Sequence, residues 1–192
     1  MKQYTSCFIG VPLPNKFQKE FERLLADVGN LHPNWEIVYP KTPHITIYYL
    51  DKQSQNVLPA IASIIQTKIN FLNKLVLSIN GFDCFNRQDP REGIVFLTIT
   101  YSVGLVDFNR ELTNALTQYY SSDNNLPFHP HITIARVSTS TNRSNIKNSV
   151  SLINQQISKI NWRFPITEIV LYGVDSTKHP QHQKKLIRIQ AT

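Results

Sequence analysis

Two histidines, His44 and His131, each follow a proline at the head of one repeated phrase, Pro-His-Ile-Thr-Ile, at residues 43–47 and again at 130–134. The phrase alternates polar and β-branched residues, as a strand does when one face meets a core and the other a cleft. His and Thr stand two apart and so share a face. Singly, either histidine reads as a structural one and either threonine as an ordinary strand residue. Facing one space as a pair, they supply an acid, a base and two hydroxyl donors. Imidazoles titrate near neutrality, so one could take a proton from water while the other protonates a leaving oxygen. Thr46 and Thr133 could donate to the charge that builds on a phosphorus between them.

Three neighbours join the candidates. Tyr48 is in phase with His44 and Thr46 by strict alternation, so it could line the cleft and stack a base. Arg136 could pair with phosphate oxygens, but alternation from His131 turns it to the other face; only a bulge or the strand's end would bring it round. His129 could line the rim. His179 and His182, among Lys178, Lys184 and Lys185, read as a solvated turn.

The elements that must position these residues can be read in order. Residues 4–11 form a strand stopped by Pro12-Leu13-Pro14. Phe17, Phe21, Leu24, Leu25 and Val28 make a helical stripe, with Asn15 as cap and Gly29-Asn30 as stop. After a short extended piece at 35–38 comes the first motif strand, 44–50, then a turn at 51–56. A helix follows with Pro59 near its first turn and Leu58, Ile61, Ile65 and Ile69 inward. Residues 75–85 and 94–101 make a hairpin around a loop of mixed charge. A third helix buries Leu105, Phe108, Leu112, Ala115, Leu116 and Tyr119. The second motif strand spans 131–137, and a fourth helix is striped by Ile146, Val150, Ile153 and Ile157. Residues 164–174 read as one strand, 178–185 as a turn, and 186–190 as a short edge strand. This order predicts an α+β fold: two pseudo-symmetric lobes with largely antiparallel sheets forming a central cleft, and helices on the outer faces.

The chain has 192 residues, of which 41% are hydrophobic and 17% charged, which suits one globular unit with a full core over residues 1–192. Its net charge of +7 and pI near 9.5 favour polyanionic partners such as RNA. Cys7 and Cys84 have neither CxxC spacing nor a disulfide framework. The apolar run 7–13 is too short and broken for a membrane span or signal peptide, so a cytoplasmic monomer away from membranes is expected. No HExxH, Asp-rich cluster, zinc-spaced Cys/His set or Gly-rich phosphate loop is present, and the chemistry above requires neither metal nor cofactor.

Paired His-apolar-Thr-apolar strands, one per lobe, resemble the signature of the 2H phosphoesterase superfamily. The opening strand Phe8-Ile9-Gly10-Val11-Pro12-Leu13-Pro14, the Trp35 approach to the first motif, His129-Pro130-His131-Ile132-Thr133-Ile134-Ala135-Arg136 and the Glu168-Ile169-Val170-Leu171-Tyr172 strand are similar to the LigT-like branch of RNA 2',3'-cyclic phosphodiesterases and 2'-5' RNA ligases. The resemblance implies catalytic His44, His131, Thr46 and Thr133, and hydrolysis of a 2',3'-cyclic phosphate end of RNA or an oligonucleotide to a 2'-phosphate, with 2'-5' ligation as a second activity. Tyr48-Tyr49-Leu50-Asp51 departs from the branch's Phe-Leu-Gly. Two alternatives therefore stand beside the first reading: the same chemistry on 2',5'-oligoadenylate or cyclic oligonucleotide signals, and a non-catalytic RNA or nucleotide binder.

Overall fold

A computed structural model describes residues 3–38, 42–85, 89–118, 120, 126–138, 145–157, 160–175 and 182–191. The order is β1 (Gln3–Pro12), α1 (Gln18–Leu31), β2 (Glu36–Ile37), β3 (His44–Ser54), α2 (Leu58–Lys68), β4 (Val76–Cys84), β5 (Ile94–Ile99), α3 (Val103–Leu116), β6 (His131–Arg136), α4 (Asn145–Gln156), β7 (Trp162–Pro165), β8 (Glu168–Asp175) and β9 (His182–Gln190). The expected Tyr119, His179 and side chain of His182 lie outside the described residues.

The described strands form two antiparallel sheets, ordered β3-β1-β8-β9 and β2-β6-β5-β4-β7. Each sheet holds one copy of the repeated phrase, on β3 and on β6. The helices cover the faces turned away from the cleft: α2 and α3 pack on β9 and β3, α1 and α4 on β2 and β4. Their apolar stripes explain this placement. Phe21, Leu24, Leu25 and Val28 of α1, Leu105, Phe108, Leu112 and Leu116 of α3, and Ile153 of α4 all enter the main core. Each such side chain stabilises the fold by roughly 1.5–3 kcal/mol relative to exposure. The α+β architecture with a central cleft is thus built by elements legible in the sequence.

Several boundaries differ from expectation. Asn15 opens a 3-10 turn instead of capping α1, which starts at Gln18 with no side-chain cap and runs through Gly29 and Asn30 to Leu31. The segment read as a turn from Asp51 continues β3 to Ser54, with Asp51 at φ 52°, a left-handed conformation that aspartate tolerates. Residues 164–174 are not one strand. The chain leaves the second sheet at Pro165, which lacks an amide donor, and enters the first at Glu168. Lys184 and Lys185, read as turn residues, lie within β9, which does form a sheet edge as expected.

Candidate active site

Both motif strands carry a β-bulge at the same place. In the first sheet Gly10 pairs with Thr46 and Ile9 with Tyr48, so Ile47 is the extra residue. In the second, Phe96 pairs with Thr133 and Val95 with Ala135, so Ile134 is. Each surplus carbonyl finds a donor outside its ladder. The Asn109 side chain of α3 donates to Ile47 O at 2.7 Å, and the Val38 backbone amide donates to Ile134 O at 2.8 Å. Two bulged carbonyls satisfied in this way hold the bends in place.

The bulges reset which side chains face the cleft. His44 and Thr46, like His131 and Thr133, share the face opposite the buried isoleucines, as alternation predicts. Beyond each bulge the phase reverses. Tyr48 enters the main core at 8% exposure, and Tyr49 takes the cleft face beside Phe8, with ring centroids 6.1 Å apart. The expectation for Tyr48 is corrected: the inserted Ile47 turns it inward. The same event in β6 buries Ala135 and brings Arg136, which is exposed, round to the face of His131 and Thr133. That is the bulge its expected role required. Tyr49 and Arg136 occupy equivalent positions in the two copies.

The imidazoles are held alike. His44 Nδ1 lies 2.8 Å from Thr42 O, and His131 Nδ1 lies 2.7 Å from His129 O. A carbonyl only accepts, so each Nδ1 carries a hydrogen, and Nε2 is left as the lone-pair or proton-bearing atom. Aromatic rings fix the rest. His44 stacks on Phe8 at 4.6 Å and leans on Tyr172 at 4.9 Å, while Phe8 and Tyr172 stack at 4.8 Å. Gly10 makes room for this nest, since a Cβ there would stand 3.0 Å from Ile45 O and 3.4 Å from the His44 ring. His131 meets the edge of Phe85 at 5.2 Å and packs on Phe96 at 5.1 Å. His129, expected at the rim, is exposed and packs on the same two phenylalanines; its carbonyl steadies His131.

Strands β3 and β6 approach one another directly, and charge on His131 disfavours charge on His44. Burial pushes each imidazole down, both to about 4, partly offset by the hydrogen bond to its backbone carbonyl; Lys185 lowers His44 further, and His129 and Arg91 lower His131. This differs from the expected near-neutral values, because the aromatic walls exclude water from around the charged form. Both rings are therefore neutral at pH 7 in the open cleft.

Sequence reasoning missed several neighbours. The Arg91 guanidinium lies over Phe85, its central carbon 3.9 Å from the ring centroid, and donates through Nε and an Nη to the two oxygens of Asp89, at 2.8 and 2.7 Å. It holds the Asp89 carboxyl down at about 2. Nothing periodic marks a loop arginine, so no pattern could have found it. Phe8 and Phe96 lie in runs whose residues are apolar and buried on both faces, so only their pairing with the motif strands marks them. Among the described residues, no group of three or more His, Cys, Asp and Glu is placed to hold a metal ion. No described helix is long and apolar enough to cross a membrane.

Solved structures share this architecture at low identity. TT0787 of Thermus thermophilus superposes with a TM-score of 0.73 at 16% identity over 97% of each chain. E. coli LigT complexed with 3'-AMP gives 0.73 at 19% identity over 98% of each. The MHV ns2 PDE domain gives 0.54 at 14% identity over 97% of this chain and 98% of that one. These likenesses establish the fold, and with two His-x-Thr-x strands in facing sheets they define a LigT-like 2H phosphoesterase architecture. No curated protein matches the chain in sequence. The profile of the 2'-5' RNA ligase superfamily matches residues 14–178, both motifs included, and the chain belongs to that superfamily of phosphoesterases and ligases.

Proposed function

We propose that the chain, acting as a single bilobal unit and a monomer, is a metal-independent phosphodiesterase that hydrolyses 2',3'-cyclic phosphate ends of RNA or oligonucleotides to 2'-phosphates. The observation that supports this most is the matched state of the two imidazoles, each with Nδ1 tied to a carbonyl two residues back and Nε2 unspent. One Nε2 accepts a proton from water as the water oxygen bonds to phosphorus and the bond from phosphorus to O3' breaks. The other imidazole, protonated, gives its Nε2 proton to O3'. The products are a 2'-phosphate and a free 3'-hydroxyl. Thr46 and Thr133 donate to the non-bridging oxygens, where negative charge grows, and the Arg136 guanidinium pairs with them. Tyr49 takes the base-stacking role that alternation gave to Tyr48. A 5'-hydroxyl in place of water would leave a 2'-5' linkage, the reverse-type ligation open to the same groups.

The depressed imidazole pKa values fit this scheme. Two neutral rings include no acid, but an entering phosphate anion favours protonation of whichever ring it approaches. The enzyme would thus acquire its acid with its substrate.

The test uses RNA ending in a 2',3'-cyclic phosphate with excess chelator present. Conversion to the 2'-phosphate should persist, and His44→Ala or His131→Ala should each lower kcat by roughly 10²–10⁴-fold, the usual worth of a positioned acid or base. Circular dichroism would confirm that each variant is folded. A 3'-phosphate product, or activity abolished by chelation, would overturn the proposal. Binding without turnover would favour the non-catalytic binder.

A further inference from the structure

The cleft face of the first sheet extends beyond the histidine. Directly opposed residues on neighbouring strands share a face, so the register lays Tyr49, Phe8, Tyr172 and Lys185 in one row across β3, β1, β8 and β9. Thr46, Gly10, Val170 and Arg188 make the next row. A third bulge makes this possible. Leu171 pairs with Ile187 and Tyr172 with Lys185, leaving Leu186 as the extra residue. Leu186, Ile187 and Ile189 then pack on the core, while Lys185 and Arg188 both face the cleft.

A cavity of about 220 Å³ opens beside these two cations and is also lined by Asn15, Thr167 and Glu168. Glu168 is the one carboxylate among its described lining residues, and the contact to Arg188 is loose at 3.8 Å, so the guanidinium keeps donors to spare. Opposite Lys185 on β8 stands Tyr172, whose hydroxyl is buried without a hydrogen-bond partner among the described residues and senses the charges of both Glu168 and Arg188. The Lys185 charge acts on His44 and lowers it, so the cation and the imidazole share one electrostatic neighbourhood. The place is cationic and lies on the same sheet face as His44.

We propose that Lys185 and Arg188 form a second anion subsite that holds a backbone phosphate of the RNA strand whose cyclic end sits at the histidines. This rests on the proposed function and adds to it a preference for chain length. From β3 to β9 is three strand spacings, roughly 14 Å between backbones before the side chains reach inward. Lys185 stands opposite Tyr172, on which His44 leans, so Arg188, exposed on the edge strand, marks the outer end of the subsite, and a strand of a few nucleotides runs from the histidines to it. The +7 charge of the chain brings such a strand in, and the subsite sets which way it lies.

The experiment measures binding of a 2'-phosphorylated mononucleotide, a trinucleotide with a 2'-phosphate at its 3' end and inorganic phosphate by calorimetry, for the wild type, a Lys185→Gln/Arg188→Gln double variant and Lys185→Arg. The wild type should bind the trinucleotide at least tenfold more tightly than the mononucleotide. The double variant should lose at least fivefold of that advantage, with a salt slope lower by roughly 0.7 per lost phosphate contact, and Lys185→Arg should keep it. Equal length dependence in wild type and double variant, or none in the wild type, would overturn the subsite. Thermal melting checks that both variants fold. Hydrolysis of a cyclic mononucleotide, assayed separately, reports on the reaction alone. A length advantage without hydrolysis would remove the enzyme and leave the subsite.

Discussion

At the residue scale, the proposed mechanism makes the two imidazoles set how activity follows pH, and their depressed values bear on stability as well. Both fall to about 4 from an ordinary 6.5. In the free enzyme above those values, the form with one ring protonated becomes scarcer by up to tenfold per pH unit. With substrate bound, the phosphate charge raises the acid's pKa. The kcat/KM optimum should therefore lie on the acid side of the kcat optimum; coincident optima in steady-state profiles would contradict this account. Stability follows from the same groups. Because the folded values are depressed, the unfolded chain binds more protons between pH 6.5 and 4. Stability should be level above 6.5 and fall as the pH drops through that window, by up to roughly 1 kcal/mol per pH unit for each histidine. Asp89, held down at about 2, contributes in a lower window, above 3.8 in full and lost as pH drops toward 2. Urea titrations at stepped pH would separate the two windows, and His131→Asn should roughly halve the slope in the upper one.

At the element scale, the bulges do the selecting. Tyr48 and Tyr49 are chemically identical, yet one is core and the other cleft wall. Tyr48→Ala should cost about 3 kcal/mol in a denaturant melt, within the range for large-to-small core changes. Tyr49→Ala should change stability by about 0.5 kcal/mol or less and raise KM. The reverse assignment of those two effects would refute the bulge. Asn109→Leu would leave the part-buried Ile47 carbonyl without its donor, a loss of about 1–3 kcal/mol.

This is also where the sequence stops being readable. The stripes of α1 and α3 and the repeated phrase announce themselves, because burial selects apolar residues at fixed spacing. The run Ile45-Thr46-Ile47-Tyr48-Tyr49-Leu50 fits either phase, and what chooses is a side chain on α3, 62 positions away. For Arg136 the requirement of a bulge could be stated in advance, but its existence could not. Lys185 was hidden for the same reason, in a polar stretch whose strand character depends on pairing with β8.

At the scale of the whole molecule, both sheets are closed by strands far apart in the chain. The first joins β1 to β8, and the second joins β2 to β6 and β4 to β7. Pairings this distant close slowly, on a scale of roughly milliseconds to seconds. Both tryptophans report on the second sheet: Trp162 lies in β7 and donates to Glu20, 142 positions away, and Trp35 precedes β2. On refolding, tryptophan emission should recover on that slow scale, and its full return within microseconds would contradict this account.

The aromatic nest around His44 gives these distant pairings a biological reading. Two of its three rings lie early in the chain and the third, Tyr172, lies far downstream. A polypeptide still being translated at residue 165 has its first histidine and Phe8, yet lacks the second ring that holds the imidazole. Under the proposed function, such a half-made chain would emerge among the cell's RNA with an incomplete site, and would complete it only when the penultimate strand slides in beside the first.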